Sequence, residues 1–338
     1  MNKIKIFVAD QFDPWFNLAT ENWIFNDMDP EYHVLFLWRN SETVVIGRLQ
    51  NPWTECRTKK MEEDGVKLAR RQSGGGAVFH DLGNTNFTFM SSKESYDKNA
   101  NNQIITAALK RFDIEAYPNG RNDIVVDTKE GVRKISGSAF KLNKDRSFHH
   151  GTLLIDANLS KLATYLNPDK KKLESKGIQS TRARVINLKE LNPSLNHDNL
   201  CEAIREEFCQ YYNSQCEVEV LDYAYLKTVP QLNKYYEELK DWDWVFGRTP
   251  QFNHQFETRF PWGGVEVHLN SNKGIIEEAK IFSDSLYPPL IESFMSTLAK
   301  TAYDGTVILG QLNSLKENYP DHQGEISDFS SWLIANIK

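Results

Sequence analysis

Arg70-Arg71-Gln72-Ser73-Gly74-Gly75-Gly76-Ala77-Val78-Phe79-His80-Asp81 sets two guanidinium groups directly before three glycines and a strand-like apolar run. Three consecutive glycines free the backbone for positive φ and let a ligand approach the main chain closely. Consecutive exposed N–H groups then form an anion-binding concavity, to which the arginines add charge and forked donors for phosphate or carboxylate. No Gly-x-x-x-x-Gly-Lys-Ser/Thr occurs, so this is not a P-loop. The Gly-x-Gly-x-x-Gly spacing is also absent, and a strand rather than a helix follows, which excludes a dinucleotide fold.

Lys134 is the second candidate. It stands between Arg133 and the small run Ser136-Gly137-Ser138-Ala139, inside a strand pattern. A lone strand lysine is ordinarily a solvated edge. One with small neighbours, on a strand entering an apolar slot, can reach anionic groups bound there. Period-two alternation lets Trp38, Val45, Val78 and Ala139 form such a slot, the usual small-molecule site, although ordinary core is the plainer reading of these residues alone. Asn122-Asp123 reads as a ribose and metal corner, with Asp123 as a carboxylate for Mg2+. His80 and His149-His150 read as core rather than as a metal site, since no third ligand has suitable spacing. Cys56, Cys201, Cys209 and Cys216 form no Cys-x-x-Cys pair and no zinc-like set with histidine, and Cys201 and Cys209, on a helix pattern, read as core or surface fillers.

These residues need a scaffold. Asp13 and Pro14 start a helix over 15–26. Val34–Trp38 and Thr43–Gly47 read as a hairpin around Arg39–Glu42, and Val66–Ala69, Ala77–His80 and Thr85–Met90 as further strands. A helix follows over 97–111. Asp123–Asp127, Val132–Phe140 and Ser147–Ile155 read as a meander, backed by helices near 158–166 and 197–213. Beyond about 250, a hairpin of Trp262–Leu269 and Gly274–Phe282 precedes three helical patterns. The expected class is α+β: a mixed, largely antiparallel sheet flanked by helices, with a smaller α+β C-terminal domain. The expected division is 1–247 for the catalytic domain and 252–338 for an accessory domain. The net charge of −6, from 40 Lys+Arg against 46 Asp+Glu, argues against a general nucleic-acid binder. No apolar run reaches the roughly 20 residues needed to span a bilayer, and the start reads as a first strand, so a cytoplasmic protein is expected. With no heptad or exposed apolar stripe, a monomer is expected.

The glycine run, with Asp13–Ala19, Leu35–Asn40, Val44–Arg48, Asn51–Trp53, Gly120–Asp123, Arg133–Ala139, His149–Leu154 and Leu166–Lys172, resembles in order the motifs of lipoate-protein ligase A. The likeness is strong over the first two thirds of the chain and continues to its end. It implies a sheet of the class II synthetase and biotin-ligase kind. It implies activation of (R)-lipoate by ATP and Mg2+ to lipoyl-AMP, then transfer to a carrier lysine. Arg71, the main chain of Gly76, Ala77, Val78 and Phe79, and Asn122 then serve the nucleotide. Trp38, Val45, Ser73, Gly75, His80 and Ala139 then serve the lipoate, and Lys134 bridges the two as the catalytic residue. Implied partners are apo lipoyl domains of 2-oxoacid dehydrogenase acyltransferase subunits and the glycine-cleavage carrier protein. The basic stretch 170–184 corresponds to a loop that closes over the adenylate, with Asn167–Asp169 and Gly177 as hinges; its lysines suit an acidic carrier. Lys141 departs from the family, where arginine is expected, and loses the forked donor.

Other functions compete. An octanoyltransferase of the same fold needs a nucleophilic thiol or lysine and no ATP. A biotin-protein ligase has a phosphate loop richer in Arg-Gly alternation, and a lipoate carrier or sensor would not need Arg71, Asp123 and Lys134 together.

Overall fold

Apolar side chains alternate along most strands of this chain, so each long strand feeds two cores, one on either side of its sheet. The computed structural model describes residues 3–120, 122–166, 185–246, 254–272 and 274–337, with only the backbone of 53 and 54. The chain divides into two units. One holds Met1–Ile46, Pro52–Gln72 and Ala77–Val245; the other holds Gly47–Asn51, Ser73–Gly76 and Phe246–Lys338. The linear division at 247/252 leaves out the two short excursions of the catalytic part into the second unit.

In the first unit the strands are β1 (Ile4–Ala9), β2 (His33–Trp38), β3 (Thr43–Ile46), β4 (Lys67–Arg70), β5 (Val78–His80), β6 (Asn84–Ser92), β7 (Ala116–Asn119), β8 (Asp123–Thr128), β9 (Gly131–Leu142), β10 (Arg146–Leu154) and β11 (Val218–Leu221). Eight of them form one sheet in the order β11-β1-β2-β6-β10-β9-β8-β7. β1 runs parallel to β11 and β2, and the other pairs are antiparallel. This is the mixed, largely antiparallel sheet expected. On one face Leu35, Leu37, Phe87, Phe89 and Leu153 pack under helices Lys98–Lys110 and His197–Tyr212. On the other, Phe7, Val34, Phe36, Trp38, Met90 and Phe148 pack against helices Pro14–Asp27 and Pro230–Lys240.

β2 and β3 are not a hairpin. β3 lies in a separate sheet of order β4-β3-β5, parallel to β4 and antiparallel to β5. Arg39–Glu42 is therefore a crossing between sheets. The residues fit that role better than a tight turn, since the segment lacks the Asn-Gly or Asp-Gly pair that two-residue hairpins favour. Asp13 caps helix Pro14–Asp27 by accepting from Trp15 N–H, with Pro14 opening the first turn. Arg146, 1% exposed, donates to the carbonyls of Ile24, Met28 and Tyr32 and so closes the far end of that helix.

The second unit is a meander of β12 (His254–Phe260), β13 (Gly263–Asn272) and β14 (Ile275–Ser283). Helices Pro288–Leu298, Gly305–Asn318 and Gln323–Asn336 supply Leu290, Phe294, Leu312 and Phe329 to its core. β12 falls in a stretch read as a connection from sequence, because Pro250 and Pro261 flank it. The excursions join here through their backbones. Ser283 N–H donates to Leu49 O at 2.7 Å, Arg48 N–H to Ser73 O at 2.9 Å and Gly75 N–H to Ser285 O at 3.1 Å. Arg48 is also ion-paired with Glu292. The glycines are required by close approach: a Cβ at Gly47 would lie 2.1 Å from Gly75 O, and one at Gly74 2.2 Å from Ser285 O.

Replacing Arg146 by Met should leave one buried and two half-buried carbonyls without this donor and cost about 3 kcal/mol or more. A denaturation midpoint unchanged from that of the unaltered protein would contradict this. Gly47→Ala should displace the triple-glycine loop at a cost of about 1–3 kcal/mol. Amide exchange at Ser73–Gly76 should speed up, and unchanged exchange there would count against the contact.

Candidate functional site

Lys134 owes its position to an irregularity in β9. Asp123 pairs with Gly137 and Ile124 with Ser136, but Val125 pairs with Lys134, which leaves Ile135 as an extra residue. Such a bulge shifts the alternation of side chains by one. Strict period two would put Ile135 beside Gly137 and Ala139 and turn Lys134 to the other face. Instead Ile135 is fully buried in the opposite core. The Lys134 side chain crosses Gly137, where a Cβ would meet Nζ at 2.8 Å and Cε at 2.9 Å. Its ammonium is ion-paired with Asp123 Oδ1 at 2.6 Å, each side chain about one-third exposed. Ile186 N–H donates to Lys134 O at 3.1 Å, so the chain following the basic stretch returns to this strand.

The same face continues across the sheet. Ala139 is opposite His150, and His150 opposite Thr88. Here the structure assembles a chain of hydrogen bonds with a fixed direction. Trp38 Nε1–H, which can only donate, reaches Thr88 Oγ1 at 3.1 Å. Thr88 then donates to Glu21 Oε1, and His150 Nδ1 lies 2.9 Å from the same oxygen. Glu21 is 2% exposed. Two donors and the nearby Arg71 offset the cost of burying its charge.

Arg71 is also buried, with its guanidinium donating to Val45 O at 3.1 Å. Burial lowers its pKa to about 10, against the pull of Glu21. His80 packs edge-on to Trp38, with ring centroids 6.1 Å apart. Burial, helped by the charge of Arg71 and by His150, holds His80 down to about 3, so the ring is neutral. Trp38, Val45 and Val78 share one apolar cluster with Phe36 and helix Pro14–Asp27. The unit thus combines an apolar wall, a buried carboxylate on a hydrogen-bond chain, a buried arginine, a neutral histidine and a more open lysine–aspartate pair with Asn122 beside it. Asn122 exchanges hydrogen bonds with the Ser138 backbone.

Sequence reasoning missed Glu21, Thr88 and His150 as parts of this site. Asn17 and Glu21, polar residues one helical turn apart among Phe16, Leu18 and Ile24, were the available signal.

Ser73, Gly75 and Gly76 belong to the second unit. The expected row of exposed N–H groups does not hold for Gly75, which is buried and donates to Ser285. Arg70 is structural: its guanidinium donates to Trp244 O and Val245 O. His149 is core, stacked on Phe140 at 4.6 Å on the opposite face, with neither nitrogen hydrogen-bonded. Lys141 lies over the Phe25 ring, 4.7 Å from its centroid. The basic stretch 170–184 and the hinges at Asn167–Asp169 and Gly177 fall outside the described residues. Burial pushes the Cys56 and Cys201 thiols up to about 12, and raises Cys209 as well, the reverse of an activated nucleophile.

Comparison with known proteins places the chain in a family. Residues 13–209 match the family described as the lipoyl protein ligase A/B catalytic domain, and residues 249–333 the bacterial lipoate protein ligase C-terminus. Lipoate-protein ligase A of Psychrobacter cryohalolentis is 54% identical over 341 residues, with 99% of each chain covered. The crystal structure of P. falciparum LipL1 in complex with lipoate is similar with a TM-score of 0.85 and 36% identity, covering 98% of this chain and 99% of that one. A bi-partite lipoate protein ligase from Thermoplasma acidophilum, studied with its E2 lipoyl domain, shares the fold at 23% identity and a TM-score of 0.63, covering 75% of this chain and 100% of its own. With both family regions matched in order and a relative aligned along nearly its whole length, the chain belongs to the lipoate-protein ligase family.

Proposed function

We propose that this protein is an ATP-dependent lipoate-protein ligase, and that Lys134 is its catalytic residue. The observation that carries the reading is the ammonium of Lys134, turned by a bulge onto the same sheet face as Ala139 and His150 and held at 2.6 Å from Asp123. A carboxylate is a poor acyl donor because oxide would have to leave. Attack of a lipoate carboxylate oxygen on the α-phosphorus of ATP forms a P–O bond, and pyrophosphate departs with the electrons of the bond that breaks. Two anions must meet, and fixed positive charge at the developing bond lowers that barrier. Lys134 supplies it and then bridges acyl and phosphate oxygens of the adenylate.

In the second step a carrier lysine ε-amine attacks the acyl carbon. The C–O bond to AMP breaks, AMP leaves with the electron pair, and the amine gives up a proton. Arg71, Asn122 and the main chain of Gly76–Phe79 serve the nucleotide in this reading. Trp38, Val45, Ala139, Ser73, Gly75 and His80 serve the lipoate. Mg2+ fits Asp123 in the way the ion is commonly held, by one or two carboxylates together with substrate phosphates, and when bound would offset triphosphate charge. The acceptors are apo lipoyl domains of 2-oxoacid dehydrogenase acyltransferases and the glycine-cleavage carrier. The protein acts as a cytoplasmic monomer; no helix among the described residues is long and apolar enough to cross a membrane. Octanoyl transfer through a cysteine is not favoured, because burial raises three of the four thiols.

ATP–pyrophosphate exchange should be driven by lipoate and not by biotin. Exchange with biotin alone, or none with lipoate, would reject the reading. Lys134→Ala should lower the exchange rate by about two orders of magnitude or more, as for loss of one preorganised donor. Near-normal exchange in that variant would remove Lys134 from the chemistry.

A further inference from the structure

Two buried amides and one ring beside the apolar wall form a relay whose proton positions can be read from its fixed end. Asn17 Nδ2 lies 3.1 Å from Gln11 O and 2.8 Å from Arg39 O, two carbonyls that can only accept. The atom facing them must therefore be the amino end of the side chain. The same amino group is 2.9 Å from Asn40 Oδ1, which fixes that atom as the oxygen. The other end of Asn40 is then its NH2, and it lies 3.1 Å from His80 Nδ1. Nδ1 must accept. A neutral imidazole carries one ring proton, so that proton sits on Nε2.

We propose that Asn40, itself held by Asn17, is a positioning residue that locks His80 as the Nε2–H tautomer, so that His80 presents a fixed hydrogen-bond donor to an oxygen of the bound acyl substrate. This rests on the ligase reading above. Asn17 and Asn40 are both fully buried and His80 is 3% exposed. Nε2 of His80 has no hydrogen-bond partner. A buried donor left unmade is unfavourable, and a bound acceptor is the natural way to satisfy it. The oxygens of an acyl group accept hydrogen bonds well and disulfide sulfur accepts them poorly, so an oxygen suits this donor better than the dithiolane.

The relay can be read without altering the protein. In two-bond proton–nitrogen spectra of 15N-histidine-labelled protein, with His80 assigned by its loss in His80→Gln, the signal should show protonated Nε2 and bare Nδ1. Protonated Nδ1 in the unaltered protein would overturn the proposal. Asn40→Asp offers His80 only an acceptor and should invert the tautomer, raising the lipoate KM in the exchange reaction by about tenfold or more. Glutamine at position 80 carries an amino group near the Nε2 position whatever residue 40 is. In the His80→Gln background, adding Asn40→Asp should therefore change KM by less than about twofold, taking near-additivity as the mark of uncoupled sites. An equal rise in both backgrounds would mean that Asn40 is only structural. Octanoate, which shares the carboxylate and lacks the sulfurs, should show the same rise with Asn40→Asp; a rise confined to lipoate would overturn the oxygen assignment. Failure of the ligase reading would appear separately, as no lipoate-driven exchange by the unaltered protein, while the tautomer remained readable.

Discussion

An extra residue in β9 decides which side of the sheet receives a cation. Without the bulge at Ile135, period two would bury Lys134 in the core formed by Leu35, Phe87 and Ile104, where an ammonium would have to shed its water without a partner. With it, Ile135 fills that core and Lys134 emerges beside Gly137, whose missing side chain leaves room for the lysine stem. Asp123, opposite Gly137 in the register, is then within reach of the ammonium. Bulges commonly re-aim a side chain, and this one turns Lys134 onto the face of Gly137 and Ala139.

The rest of the face is arranged around charge that cannot be exposed. Glu21 and Arg71 are both buried in a unit whose neighbouring surfaces are Trp38, Val45 and Phe36. Removing water strengthens electrostatic interactions among such groups, and a buried charge without partners would be costly. The Trp38–Thr88–Glu21–His150 chain meets that requirement for Glu21, and the Asn17–Asn40–His80 relay satisfies neutral polar groups buried beside it. Helix Pro14–Asp27 carries a member of both networks, Asn17 and Glu21, one turn apart. Its two ends are fixed by Asp13 and by the buried Arg146.

Much of this was legible in the sequence. Alternating apolar strands gave the mixed sheet, the meander over β8–β10 and the hairpin of β13 and β14, because local patterning and burial agree there. The Arg39–Glu42 crossing was misread because a short polar segment between two apolar runs looks the same whether the runs pair with each other or with distant strands. The bulge was illegible for a related reason: Ile135 is a good strand residue in either register, and only its partner on β8 reveals the slip. The glycine triplet was read as a place where a ligand approaches the main chain, whereas what lies against Gly74 and Gly75 in the structure is the backbone of Ser285. Glu21 and Asn17 were hidden among apolar neighbours, where a polar residue is easily taken for the solvent side of a helix.

The central claim is that Lys134 exchanges one anionic partner for others during the reaction. A crystal structure with a non-hydrolysable lipoyl-adenylate analogue tests it most directly. Lys134 Nζ should leave Asp123 Oδ1 and lie within about 3.2 Å of both an acyl oxygen and the oxygen standing for the α-phosphate. An analogue bound with the ammonium still on Asp123, and no acyl oxygen near it, would contradict the account.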